Sequence, residues 1–174
     1  MNRIEIIKKS ITQMDVDAIV NAANENLRAG SGVCGAIFDE AGYHDLQMAC
    51  NEIGHCNTGS AVITPGFALK ARYVIHAVGP IWSGGNRGEA ELLASCYTTS
   101  IDLAVEHGCT SIAFPLISSG IYGYPKEGAW RVALTACLDK LSQLGEKGPT
   151  VVFCVLGDAS LQLGNAILSE LTEN

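Results

Sequence analysis

A layered α/β domain with a largely parallel sheet is the fold class that these 174 residues predict. Two observations carry it. Apolar, β-branched runs alternate along the chain with helical patterns of 10–18 residues, the order in which parallel strands and their crossover helices are laid down. The composition, 48% apolar and 17% charged, supplies a full core and is far from that of a disordered chain. No repeat, low-complexity tract or linker interrupts the series, so residues 1–174 are expected to form one domain.

The elements follow in order. Arg3–Lys8 alternates Ile with charge, as a half-buried strand does, and is expected at a sheet edge. Val16–Ala23 is a denser apolar run suited to a strand covered on both faces. Asn24–Gly32 is polar and glycine-rich. Val33 then opens a helix that Gly42 stops, and a second helix runs from about Asp45 to Ile53, closed by Gly54. Strands follow at Ser60–Thr64 and Arg72–Val78, and Gly79–Gly88, with one Pro and four Gly, is a loop. Glu89–His107 is helical and ends at Gly108. Thr110–Pro115 is a buried strand, and Ser118–Gly123 a second glycine loop. Pro125 fits the first turn of a helix reaching about Leu141. Val151–Leu156 is a strand, and Ala159–Leu171 the last helix.

Eleven Lys and Arg against 18 Asp and Glu leave a net charge of -7, opposite to what binding a phosphate backbone requires, so a nucleic-acid partner is disfavoured. No apolar run approaches the roughly 20 residues a membrane helix needs, and the N-terminus has no signal-like apolar region. A cytoplasmic monomer without a membrane partner is expected. The seven cysteines form no C-x-x-C, and most lie in apolar stretches where a reduced thiol packs as a small hydrophobe. Cys50, His55 and Cys56, with His44 upstream, fit no standard zinc spacing, so no metal is expected. His76, inside a strand pattern, reads as a structural residue rather than a base.

In open parallel sheets ligands gather at the carboxyl ends of the strands, which brings two loops forward. The first contains Gly30-Ser31-Gly32-Val33-Cys34-Gly35, a literal G-x-G-x-x-G that opens a helix. Glycines let backbone approach a phosphate, and free N–H groups at a helix N-terminus face it. A dinucleotide fingerprint would follow its strand at once, whereas about nine polar residues intervene here. The second loop is Ser118-Ser119-Gly120-Ile121-Tyr122-Gly123. A turn without ligand explains either loop singly, whereas two at strand ends suit a ligand carrying two phosphates.

Val20-Asn21-Ala22-Ala23-Asn24 followed by Gly30–Ile37 resembles the opening of macro domains. Asn57-Thr58-Gly59, Ala61-Val62-Ile63-Thr64, Val78-Gly79-Pro80-Ile81-Trp82 and Ile112–Pro115 through Ser119–Pro125 match further segments in order, over nearly the whole chain. The nearest group resembles the bacterial members described as O-acetyl-ADP-ribose deacetylases and mono-ADP-ribosyl hydrolases. The resemblance implies a three-layer α/β/α fold and a site for ADP-ribose, an ADP-ribosylated protein or O-acetyl-ADP-ribose, with no cofactor. It implies a diphosphate between Gly30, Ser31, Gly32, Val33 and Ser118, Ser119, Gly120, Ile121, Tyr122. Asn24 would meet the distal ribose, its amide donating and accepting without added charge, and Tyr122 would cover the diphosphate.

Against that pattern four positions differ. Hydrolytic members of the group carry an aspartate that orients water where this chain has Cys34, and Phe38 replaces the histidine that follows. A neutral thiol is a poor general base, though a helix N-terminus that lowered its pKa would make it a nucleophile. At the adenine end, Lys9-Ser10-Ile11-Thr12 puts Ser10 where a carboxylate is usual, beside Ile11, and Leu156 stands where an aromatic often stacks. Both are weaker partners for a purine. Three readings remain open. One is an ADP-ribose-binding domain that slowly hydrolyses ADP-ribosyl linkages or O-acetyl-ADP-ribose with Asn24 and Cys34 as the catalytic candidates. The second is a non-catalytic reader of the same ligand, and the third a dinucleotide oxidoreductase.

Overall fold

The computed structural model describes residues 3–173. Its strands are β1 (Ile4–Lys8), β2 (Ala18–Ala22), β3 (Ala61–Pro65), β4 (Tyr73–Ala77), β5 (Ser111–Phe114) and β6 (Thr150–Val155). The helices are α1 (Gly32–Ala41), α2 (Tyr43–Ile53), α3 (Glu89–Glu106), α4 (Lys126–Leu144) and α5 (Asp158–Thr172). One mixed sheet runs β1-β6-β5-β2-β4-β3, with β1 at an edge as its alternation predicts. The five strands from β1 to β4 pair in parallel, and only β3 at the far edge runs antiparallel, against β4.

Both faces of the sheet are covered, so strand residues sort by the period of two. On β6, Val151, Phe153 and Val155 enter the core beneath α3, α4 and α5, whereas Cys154 turns to the core beneath α1 and α2. On β2, Ala18 and Val20 face the first core and Ile19 the second. The result is a three-layer α/β/α stack. Aromatic rings fill the larger core. Phe114 and Phe153 stack at 5.5 Å between ring centres, Tyr97 meets Phe114 edge-on at 4.9 Å, and Trp130 lies 5.4 Å from Phe153.

The differences from the sequence reading are local. Gly42 alone separates α1 from α2, which starts at Tyr43 rather than Asp45. β2 begins at Ala18 because Val16-Asp17 serves another purpose. The Asp17 carboxylate accepts the Thr110 N–H at 2.7 Å and the Thr110 hydroxyl at 3.1 Å, tying the entry of β2 to that of β5. Pro125 is extended (ψ 133°) and precedes the first turn of α4 rather than lying in it. A 3-10 turn at Ile11–Gln13 carried no periodic signal.

One polar chain crosses β2, β4 and the edge strand β3 of this apolar sheet. Asn21 on β2 and His76 on β4 are register partners, both buried. The Asn21 amide N–H donates to His76 Nδ1 at 3.1 Å, which makes Nε2 the protonated nitrogen. That N–H donates to Thr64 Oγ1 on β3 at 3.0 Å, and the hydroxyl passes its own hydrogen to the Pro65 carbonyl at 3.1 Å. His76 is the structural residue its position suggested. Burial pushes its pKa down from 6.5 to about 4.

The sign of the linked pH effect follows. Between pH 6.5 and 4 the unfolded imidazole holds a proton that the folded one refuses, so stability falls as pH drops through that window and levels off below it. Urea denaturation at pH 7 and pH 4.5 should differ by about 2–3 kcal/mol from this group, and the difference should shrink in His76→Gln. NMR should find the ring still neutral at pH 5.

Candidate functional site

A cavity of about 740 Å³ opens at the carboxyl ends of β1, β6, β5 and β2. Every residue that the sequence reading assigned to a ligand lines it. Ser10 and Ile11 follow β1 and Leu156 follows β6, Asn24 and Gly30 to Cys34 lead from β2 into α1, and Ser118 to Tyr122 follow β5.

The first loop is held by side chains that reach into it. Asn24 closes it on itself. Its amide N–H donates to the Arg28 carbonyl at 2.8 Å, and its Oδ1 accepts the Arg28 N–H at 3.0 Å. One amide hydrogen and one oxygen lone pair of Asn24, which lines the cavity, are left over by these bonds. Gln47 of α2 donates to the Leu27 carbonyl at 3.0 Å and accepts the Ala29 N–H at 2.9 Å, fixing buried Leu27 in the left-handed region at φ 56°. Glu25 anchors the outer side through the Thr58 N–H and hydroxyl, at 3.1 and 2.9 Å. At Gly35 any side chain would collide with this loop, since a Cβ would lie 2.7 Å from the Gly30 carbonyl oxygen. The glycine therefore lets the loop lie against α1, whose N-terminus carries no side-chain cap.

The second loop is held as firmly. Buried Tyr97 of α3 accepts the Ile117 N–H on its hydroxyl at 2.9 Å. Ser118 adopts φ 67° and donates its hydroxyl to the Pro80 carbonyl at 2.8 Å. Tyr124 N–H closes back on the Ser118 carbonyl at 2.9 Å and Gly123 N–H on that of Gly120 at 3.0 Å. The amides of Gly120, Ile121 and Tyr122 donate to no other group among the described residues.

The electrostatics have one sign. Lys9 and Lys126 line the cavity, and no Asp or Glu among the described residues does. The N-termini of α1, α4 and α5 all reach its wall, through Ser31–Cys34, through Lys126, and through Gly157, Ala159 and Ser160, and none has a side-chain cap. Each presents unpaired amides and the positive end of a helix dipole. Sequence reasoning missed both lysines, Lys9 directly before Ser10 and Lys126 three residues beyond the Ser118–Gly123 loop, and also Gly79 and Pro115–Ile117 of the wall. No group of three His, Cys, Asp or Glu that could hold a metal occurs among the described residues, nor is any helix there long and apolar enough to cross a membrane.

Two expected roles look different in place. The Ser10 hydroxyl is paired with Thr12 Oγ1 at 3.0 Å, and Leu156 and Ile121 stand at the rim, 73% and 87% exposed. Cys34 is buried, with Sγ against the Arg28 carbonyl at 3.8 Å. Burial pushes its thiol above the ordinary range, against weaker opposing pulls from the Gly30 backbone and the Asn21 side chain. A neutral thiol is neither an activated nucleophile nor a base for water.

All seven cysteines are free and buried. A thiol-reactive reagent such as DTNB at pH 7.5 should therefore find no fast-reacting cysteine in the native protein and seven in denaturant. A thiol at Cys34 that reacts faster than an unfolded one would contradict this description.

Comparison with known proteins adds the family. The sequence model of the macro domain matches residues 20–133. The chain is 54% identical over 161 residues to the macro domain-containing protein CT2219 of Chlorobaculum tepidum, covering 92% of each. It is 46% identical over 169 residues to the ADP-ribose glycohydrolase MACROD2 of Xenopus laevis, which spans 97% of this chain but 40% of that protein. It superposes on the Oceanobacillus iheyensis macrodomain with ADP at a TM-score of 0.90 and 36% identity, covering 98% and 92% of the two chains. A mutant of that macrodomain with ADPR gives 0.88 and 35%, covering 98% and 94%. With its sheet order, its two glycine loops and these relatives in agreement, the chain belongs to the macro domain family.

Proposed function

We propose that this chain binds ADP-ribose, as one domain, with the diphosphate across the two glycine loops. The observation that carries the reading is the inversion of charge at the cavity. On a chain of net charge -7, two lysines, three uncapped helix N-termini and the amides of Gly120 to Tyr122 converge, and no carboxylate among the described residues does. Such a wall suits a compact dianion. Similarity to macrodomains solved with ADP and with ADPR supports the nucleotide. Asn24 meets the distal ribose with the donor and acceptor that its loop bonds leave over. Ser10, Ile11 and Leu156 form the base end, where no carboxylate accepts a base amino group.

Hydrolysis is the second reading, supported by similarity to a protein named as an ADP-ribose glycohydrolase. The cavity offers no strong general base, because Cys34 stays protonated. Turnover would then rest on orientation, with a water held by Asn24 and the loop amides and its proton passing to the substrate's own phosphate. Without an enzymic base the rate is slow, and the protein works chiefly as a binder of ADP-ribose and ADP-ribosylated protein.

Calorimetric titration tests the first reading. ADP-ribose should bind with a Kd on the order of 1 µM, about -8 kcal/mol, and AMP and ribose 5-phosphate more weakly by roughly tenfold or more. Absence of ADP-ribose binding would overturn the assignment. Release of ADP-ribose from a mono-ADP-ribosylated protein tests the second. Cys34→Asp should raise that rate by about tenfold or more, 1.4 kcal/mol of barrier, with affinity little changed. A robust rate in the unmodified chain would exclude a pure reader.

A further inference from the structure

Glu89, the first residue of α3, is 2% exposed and has no cationic partner among the described residues. Its carboxylate instead accepts three backbone N–H groups of the preceding loop. Oε2 takes those of Ser83 at 2.8 Å and Gly85 at 3.0 Å, and Oε1 takes that of Arg87 at 2.7 Å. Burial alone would raise its pKa, but the bonds from Ser83, Arg87 and Gly85 outweigh it and hold the group down at about 2. It is ionised throughout the physiological range, at the positive end of a helix dipole.

What the carboxylate holds is the support of the second glycine loop. Gly85, at φ 89°, lies so close to the Trp82 ring that a Cβ there would come within 2.9 Å of Trp82 Cη2. The indole also meets Tyr124, with ring centres 4.6 Å apart. The Trp82 N–H donates to the Tyr122 carbonyl at 2.8 Å, and the Pro80 carbonyl accepts the Ser118 hydroxyl. The segment 79–89 thus grips residues 118–124 through Pro80, the Trp82 backbone and the Trp82 ring.

We propose that Glu89 is a positioning residue for the ligand, setting the second glycine loop through the 83–87 turn and Trp82. It touches no ligand. It fixes where the amides of Gly120 to Tyr122 and the Tyr122 ring stand, and its ligand readout rests on the ADP-ribose reading above.

Glu89→Gln is nearly isosteric but offers one acceptor oxygen and turns an NH2 group toward the donors. Hydrogen exchange on the ligand-free protein is the first readout. The amides of Trp82, Gly123 and Tyr124 should exchange about tenfold faster in the variant, while amides of β2 and β5 do not. Unchanged exchange at those three would overturn the proposal. This readout needs no ligand, so it stands whether or not ADP-ribose binds. The second is a double-mutant cycle on ADP-ribose affinity. Glu89→Gln should weaken binding about tenfold alone and less than about twofold in a Tyr122→Ala background. Full additivity would mean a general loss of stability and would sink the idea. If Glu89→Gln does not fold, wild-type exchange decides. ADP-ribose should slow Ser83, Gly85 and Arg87 together with Gly120 to Tyr122, and protection confined to the second loop would refute the coupling. Failure of wild type to bind at all would fall on the ligand assignment, not on Glu89.

Discussion

In a parallel sheet every strand is entered from the same end, so every exit loop gathers along one edge and every following helix starts there. Here that edge carries the exits of β1, β6, β5, β2 and β4. The helices that follow β2, β5 and β6 present their N-termini to one cavity. The cavity's positive character is therefore a product of chain direction as much as of its two lysines. Reversing one strand would replace amides with carbonyls. The single antiparallel strand, β3, lies at the sheet edge away from the cavity.

Parallel strands alone would leave those loops free to move. Their shape is imposed by side chains, most of which belong to neighbouring helices. Gln47 of α2 and Glu25 brace the first loop, and Tyr97 and Glu89 of α3 brace the second or its support. The two non-glycine residues in left-handed backbone nearest the cavity, Leu27 and Ser118, are both buried and both tied by hydrogen bonds. Strain of this kind persists only where surrounding contacts over-determine the backbone, and here it lies in the two loops that border the cavity. A site prepared in advance loses less conformational entropy on binding.

The sequence made the strands legible because those buried on both faces read as dense apolar runs and β1 as an alternation. It made the helices legible through their glycine stops. The residues that line the cavity were readable because short motifs such as Asn21–Asn24 and Gly30–Gly35 map onto loops once the strand order is granted. What escaped depended on contacts between distant residues. Glu89 read only as the start of a helix, since nothing local reveals that its carboxylate folds back on Ser83, Gly85 and Arg87. Asn24 posed a choice between ligand and turn, and in place it closes the turn while still facing the cavity. Cys34 sat at a helix N-terminus, where thiols are often activated. The burial that reverses the effect is a property of packing against Gly30 and Arg28.

The inversion of charge also has a consequence in time rather than affinity. An anion far from this molecule feels the whole chain, at -7, and is repelled. Within a few ångströms it feels the two lysines and the helix ends, and is held. The first interaction reaches over a Debye length, about 8 Å at physiological salt, and is screened readily, whereas the second acts in a cleft where screening is weak. Added salt therefore lowers the barrier to arrival more than it loosens the hold. Encounter with a phosphate ligand becomes faster as ionic strength rises, the reverse of the steering seen when protein and ligand carry opposite charge.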